Sequence, residues 1–187
     1  MVGAFAAGEA FIYAYWDEID RTAHEFGLAD RYDEELAACD VMVDDLLARL
    51  PADTAVVVTA DHGQVHVGER MLELPGPVTS LIDGQSGEAR FRWLHARPGA
   101  AADLAAGAVE AFSDVAWIRT VDEVVVDGWL GPVVTGAARR RLGDVALVPF
   151  EPVAFVDPVE HISIDLIGRH GSLTTDEVLV PALCAVT

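Results

Sequence analysis

The stretch Ala55-Val56-Val57-Val58-Thr59-Ala60-Asp61-His62-Gly63 decides how the rest of the chain is read. An apolar, β-branched run that stops at a carboxylate and an imidazole reads as a buried strand delivering polar groups at its carboxyl end. Placing two charged-type residues there costs desolvation unless they have chemistry to perform. Adjacent residues on an extended segment point apart, so Asp61 and His62 share one ligand only if the chain turns, and Gly63 permits that turn.

Working back toward the N-terminus, Pro51 closes a helical pattern that Asp30 begins. Leu36, Cys39, Val43, Leu46, Leu47 and Leu50 recur at three- and four-residue steps, while Asp33, Glu34, Asp40 and Asp44 fall off that stripe. Before it, Phe11–Trp16 (FIYAYW) reads as a second buried strand, ending in the polar segment Asp17–Gly27. Strand, polar loop, amphipathic helix, strand is the rhythm of an α/β fold, with a mostly parallel central sheet flanked by helices. In such sheets ligands sit beyond the carboxyl ends of strands, where both polar clusters fall.

Downstream, Leu72–Gly87 carries turn signals and short strands. Phe91–Arg97 reads as a strand, Ala100–Phe112 as a helix, Val115–Arg119 as a strand and Val121–Gly128 as a helix, with Asp144–Pro149 a further strong strand. This pattern predicts a smaller inserted α+β lobe over 72–142, within a core formed by 1–71 and 143–187.

Composition narrows the ligands. The chain has 187 residues and 52% apolar content, enough for a folded core. Its 12 basic residues are all Arg, against 31 acidic ones, for a net charge of −19. Residues 1–50 alone carry 12 acidic and 3 basic side chains, nearly half of that excess. Such a surface repels nucleic-acid polymers and anionic membranes, so a phosphate-bearing ligand requires a cation between it and the protein. Cys39 and Cys184 form no CxxC pair and read as buried, reduced thiols, with a disulfide between them as the alternative. With no basic leader and no apolar run of ~20 residues, the expected location is cytoplasmic.

Three constellations carry chemistry: Asp20 with His24, Asp61 with His62, and His170-Gly171. Asp20 and His24 face the same way if their segment is helical. Asp and His together suit Zn²⁺ or a similar divalent ion, with bonds of ~2.0–2.2 Å. His66 and Glu69 read as pocket lining or an exposed turn, and His95 as a structural histidine in a strand. Glu160 and His161 read as partners orienting a metal-bound imidazole. The run Arg139, Arg140 and Arg141 reads as a solvated face or a phosphate contact.

Taken in order, Tyr15–His24, Val58–Gly63, His170-Gly171 and the closing Val180–Leu183 resemble the C-terminal part of the alkaline phosphatase superfamily. Within it they are most similar to the type I phosphodiesterase/nucleotide pyrophosphatase branch. The resemblance implies two divalent metals, usually zinc, with manganese or iron as alternatives. It places Asp20, His24 and His170 on one metal and Asp61 and His62 on the other. It implies a hydrolase of phosphodiester or pyrophosphate bonds, acting on a small phosphorylated substrate. The family's further metal-binding Asp and its Ser or Thr nucleophile have no counterpart before Asp20. Thr22 and Thr59 are the hydroxyl substitutes inside the motifs, with Thr59 read as strand packing. The chain is therefore expected to be a partial domain without its nucleophile, self-associating or pairing with a missing N-terminal half. An inactive metal-binding or interaction module, and a phosphonate hydrolase or phosphomutase of the same superfamily, are the alternative readings.

Overall fold

A computed structural model describes Gly3, residues 7–160 and residues 166–187. The best-buried part of the chain is a four-stranded antiparallel sheet. Its strands are β4 (Ile82–Glu88), β5 (Phe91–Ala96), β6 (Ala116–Thr120) and β7 (Val145–Pro149), ordered β4-β5-β7-β6. β7 lies between β5 and β6 and is buried at every position. Its alternation sends Val145 and Leu147 into one core, with Leu94, Leu104, Phe112 and Phe155. Ala146 and Val148 enter a second core, with Trp93 and Val124. An apolar layer on each face explains why the sequence VALVP has no polar alternation.

The first core is closed by α4 (Ala101–Phe112), which buries Leu104, Ala108 and Phe112. The second is closed by α5 (Val121–Val126), which buries Val124. At the start of α5, the Thr120 side chain accepts from the Glu123 N–H, and the Glu123 carboxylate accepts from the Thr120 N–H. This reciprocal cap satisfies two donors that a helix start otherwise leaves open.

The N-terminal part is built differently. α1 (Glu18–Phe26) and α2 (Asp30–Arg49) pack on each other, and β1 (Ala55–Thr59) follows. The stripe expected on α2 has the right register, yet none of its residues is fully buried, and Leu36 is exposed. Among the described residues β1 pairs only with β10 (Ala182–Val186), antiparallel, with Val57 opposite Cys184. Val57, Leu183 and Val186 are exposed.

Three expectations change. Phe11–Trp16 forms no strand, and Phe11, Tyr13, Tyr15 and Trp16 are exposed. An aromatic run becomes a buried strand only where a neighbouring strand takes its backbone and another layer covers its side chains, and no described residue does so here. The mostly parallel central sheet is replaced by antiparallel ladders. The one parallel pair among the described residues joins β3 (Met71–Leu72) to β8 (Ala154–Phe155). The strand–helix–strand rhythm around α2 produces no βαβ unit, because β1 takes its partner from the C-terminal end of the chain. Finally, both cysteines are free, but Cys184 is exposed and Cys39 only half-buried. No helix of the described residues is long and apolar enough to cross a membrane.

Short elements place the site. β2 (Val65–His66) pairs antiparallel with β9 (Gly168–Arg169), which sets the loop after β1 beside the loop carrying His170. The Ile167 N–H donates to the His24 carbonyl, docking the end of α1 on β9. Gly168 is required by this approach, since a Cβ there would lie 2.4 Å from the Ala23 carbonyl oxygen. Helices α3 (Gly76–Thr79), α6 (Gly136–Arg139) and α7 (Thr175–Val178) are single turns.

Candidate metal centre

Three segments far apart in sequence converge at one point. Asp17–Gly27, read as a polar segment, is helical over Glu18–Phe26, so Asp20 and His24 do share one face. His62 arrives from the turn after β1 and His170 from the end of β9. Asp20, His62 and His170 each offer a ligand atom, all within 4.8 Å of one another. The His62 and His170 rings stack with centroids 3.5 Å apart, and the His24 ring lies 5.2 Å from that of His170. Asp61 stands at the rim, its carboxylate 3.8 Å from His62 Nε2 and more exposed than the rest.

The hydrogen bonds fix which nitrogens are free. His24 Nδ1 lies 2.7 Å from the Gly168 carbonyl oxygen, and His62 Nδ1 lies 3.0 Å from that of Gly63. A carbonyl only accepts, so both Nδ1 atoms carry hydrogen and donate, which leaves each neutral imidazole with a lone pair on Nε2. Both Nε2 atoms face Asp20 Oδ1, at 3.5 Å and 3.9 Å. Acceptor then faces acceptor, an arrangement that suits a cation placed between them. Burial of the His170 imidazole, with His62 and His24 beside it, pushes its pKa below the ordinary histidine value, and Asp20 and Glu88 counter only part of that. Protonating His170 is therefore costly, which keeps this ring's lone pair available to a ligand. A divalent cation satisfies the same lone pairs, and one carboxylate with several imidazoles is a fitting donor set for zinc. Acidity extends outward, where Asp61 above all, with desolvation and then Asp20, raises the pKa of the Tyr15 hydroxyl.

Of the five ligands expected from sequence, the structure gathers Asp20, His24, His62 and His170, with Asp61 adjoining. The triad whose ligand atoms lie within 4.8 Å of one another takes Asp20 and His170 from one group and His62 from the other, so the two groups adjoin. Glu160 does not orient a site histidine, because its carboxylate pairs with Arg92 at 2.8 Å. That guanidinium is buried in the sheet and is the stronger partner for a nearby charge. His161 lies outside the described residues. His66 is exposed and lines a cleft of roughly 210 Å³ with Gln64, Thr174 and Asp176, whereas Glu69 is an exposed turn residue. His95 is structural, with Nε2 2.7 Å from Ser86 Oγ. In the arginine run, Arg139 pairs with Asp122, while Arg140 and Arg141 are exposed. The Thr59 hydroxyl donates to the Ala60 carbonyl at 3.4 Å, so it is directed at the backbone as expected, while the side chain faces solvent rather than packing in a core.

Gln64 was missed. Its amide donates to Asp20 Oδ1 at 2.5 Å and to the Asp20 carbonyl at 3.3 Å, which holds the carboxylate by the oxygen that faces the two imidazoles. Its position two residues beyond His62 was the only available signal.

The chain has an α/β fold of the kind seen in nucleotide pyrophosphatase/phosphodiesterase and phosphonoacetate hydrolase structures. The sequence profile of type I phosphodiesterase/nucleotide pyrophosphatase matches residues 5–172, and the chain belongs to that family. Among solved structures it is similar to murine ectonucleotide pyrophosphatase/phosphodiesterase 5, in an inactive form with AMP, at 17% identity and a TM-score of 0.69. The match covers 91% of this chain and 45% of that one. The human counterpart gives 17% identity and a TM-score of 0.61 over the same shares. Phosphonoacetate hydrolase from Sinorhizobium meliloti, with phosphonoformate, gives 18% and 0.57 over 88% of this chain and 43% of that one. The chain thus spans less than half the length of these structures. No curated protein matches it.

Proposed function

We propose that this chain carries the metal-binding part of a hydrolase acting on phosphodiester or pyrophosphate bonds of small, nucleotide-type substrates. The observation that carries the reading is the convergence of Asp20, His62 and His170, with His24 and Asp61 beside them, from three segments. Asp20, His24 and His170 would hold one divalent ion, and Asp61 and His62 would supply part of a second site, with zinc the best fit to these donors. Bound there, the metals would supply Lewis-acid stabilisation of the phosphoryl oxygens and of the attacking and leaving oxygens.

The chain's own residues prepare that chemistry. The Gly168 and Gly63 carbonyls hold His24 and His62 in the tautomer that presents Nε2. Gln64 fixes the Asp20 carboxylate. Burial keeps His170 neutral near neutral pH, ready to ligate. Neither Thr59 nor the segment before Asp20 supports a nucleophile, so the attacking hydroxyl and a further carboxylate ligand are proposed to come from residues other than these. The exposed apolar residues Val57, Leu183, Val186, Phe11 and Tyr13 support pairing of this face, with the complementary half of the fold or with a second copy.

The test is phosphate binding with and without metal. At a net charge of −19, inorganic phosphate should bind the zinc-loaded chain and not the metal-free one. Equal binding in both states would sink the reading. The Thr59 geometry also favours a second reading, an inactive metal-binding module. Turnover of a nitrophenyl phosphodiester well above the background of free zinc would remove it, together with the claim that the nucleophile lies elsewhere.

A further inference from the structure

We infer that Glu177 and Arg90 form a positioning pair that sets the spacing of His62 and His170 and ties both to the four-stranded sheet. The inference rests on the metal-centre reading above. Glu177, on α7, is 2% exposed and Arg90, in the turn between β4 and β5, is fully buried. Their contact is bidentate: Arg90 Nε and Nη2 donate to the two carboxylate oxygens at 2.6 Å each. The rest of the guanidinium donates to the carbonyls of Pro149, Glu151 and Val153 at the end of β7.

Glu177 then reaches both histidine loops. Its carboxylate accepts from the Ser172 N–H at 3.0 Å, two residues beyond His170, and from the Thr174 hydroxyl at 2.5 Å. Its backbone carbonyl accepts from the Gly63 N–H at 2.8 Å, one residue beyond His62. The approach is so close that a Cβ on Gly63 would lie 2.0 Å from the Asp176 carbonyl oxygen. One buried side chain and its own peptide therefore fix the C-terminal neighbours of both stacked imidazoles. Burial works to raise the Glu177 pKa, and the bonds from Arg90, Thr174 and Ser172 more than offset it, so the group stays ionised.

The same sheet contains an internal control. Arg92 is also buried and pairs with Glu160 at 2.8 Å and Asp157 at 3.7 Å, and although both acids line a cleft with Arg169, neither carboxylate hydrogen-bonds to residues 61–64 or 170–174 among the described residues. Removing either pair should lower stability, but only the first should change the metal site. Groups that orient ligands from behind cost about 10–100-fold in metal affinity when removed.

The experiment measures zinc affinity by competition with a chromophoric chelator, alongside thermal unfolding of the metal-free protein, for the full 187-residue chain. Glu177→Gln keeps the volume and removes the charge. Arg90→Lys keeps the charge and loses the two-pronged contact, and serves if the first variant does not fold. Either variant should weaken zinc binding about tenfold or more. Glu160→Gln should lower the Tm and leave zinc affinity within about twofold of wild type, well under that range. Zinc affinity unchanged in Glu177→Gln or Arg90→Lys overturns the inference, as does an equal loss in Glu160→Gln. His62→Ala separates the two levels: if it too leaves zinc binding unchanged, the metal centre itself is wrong. If it abolishes binding while the clamp variants do not, only the clamp fails.

Discussion

Strands β1 and β7 have nearly the same kind of sequence, AVVVT and VALVP, and opposite surroundings. Every residue of β7 is buried, between two sheet neighbours and two apolar layers. β1 has one ladder partner, and Ala55, Val57 and Thr59 face solvent. An apolar run therefore shows that a strand is made to be covered without showing what covers it. In this chain the burial is concentrated in the four-stranded sheet and its two helices, while the candidate chemistry sits at the end of the thinly covered ladder.

That contrast can be broken at its strongest point first. Leu147→Ala empties a fully buried position and should cost about 2–5 kcal/mol in urea unfolding. A loss below about 1 kcal/mol would mean the sheet is not the stable unit. Next, Thr120→Ala removes the reciprocal cap of α5 and should cost about 0.5–2 kcal/mol, again on the sheet side of the molecule. At the other end of the contrast, Val57→Ala should shift stability by less than about 0.5 kcal/mol. A larger loss would show that a partner surface covers β1 in solution, and sedimentation at several concentrations would then show whether that partner is a second copy.

The pH dependence sharpens the comparison from the site's side. His170 has a lowered pKa in the fold, so the unfolded chain binds its proton first as pH falls. Metal-free protein should therefore lose stability on acidification from about pH 6.5, where an unperturbed histidine titrates, down toward the lowered folded value. Above that window the group contributes nothing. His170→Asn should flatten this slope, and an unchanged slope would show that burial of His170 does not govern it.

The same contrast explains what was legible in the sequence. β5, β6, β7, α4 and α5 were readable because neighbouring stretches of chain cover them, so apolar runs and turn signals matched the outcome. Phe11–Trp16 and the parallel sheet were misread because a strand's fate depends on a layer the local pattern does not describe. Among the site residues, Asp20, His24, His62 and His170 were visible as motifs, since few apolar runs end in such groups. Gln64, Glu177 and Arg90 were invisible. Their roles arise from contacts across long stretches of chain, such as the separation of 87 positions from Arg90 to Glu177, and no local spacing encodes them. Glu160 shows the reverse error, in which nearness in sequence to His170 lost to a buried guanidinium nearby in space.

The most direct test of the central claim is zinc content and affinity of the purified chain against Asp20→Ala and His62→Ala. The account predicts that wild type retains zinc through dialysis and that each substitution removes most of it, with folding preserved because neither side chain belongs to the buried core. Zinc bound equally well by all three proteins would contradict it.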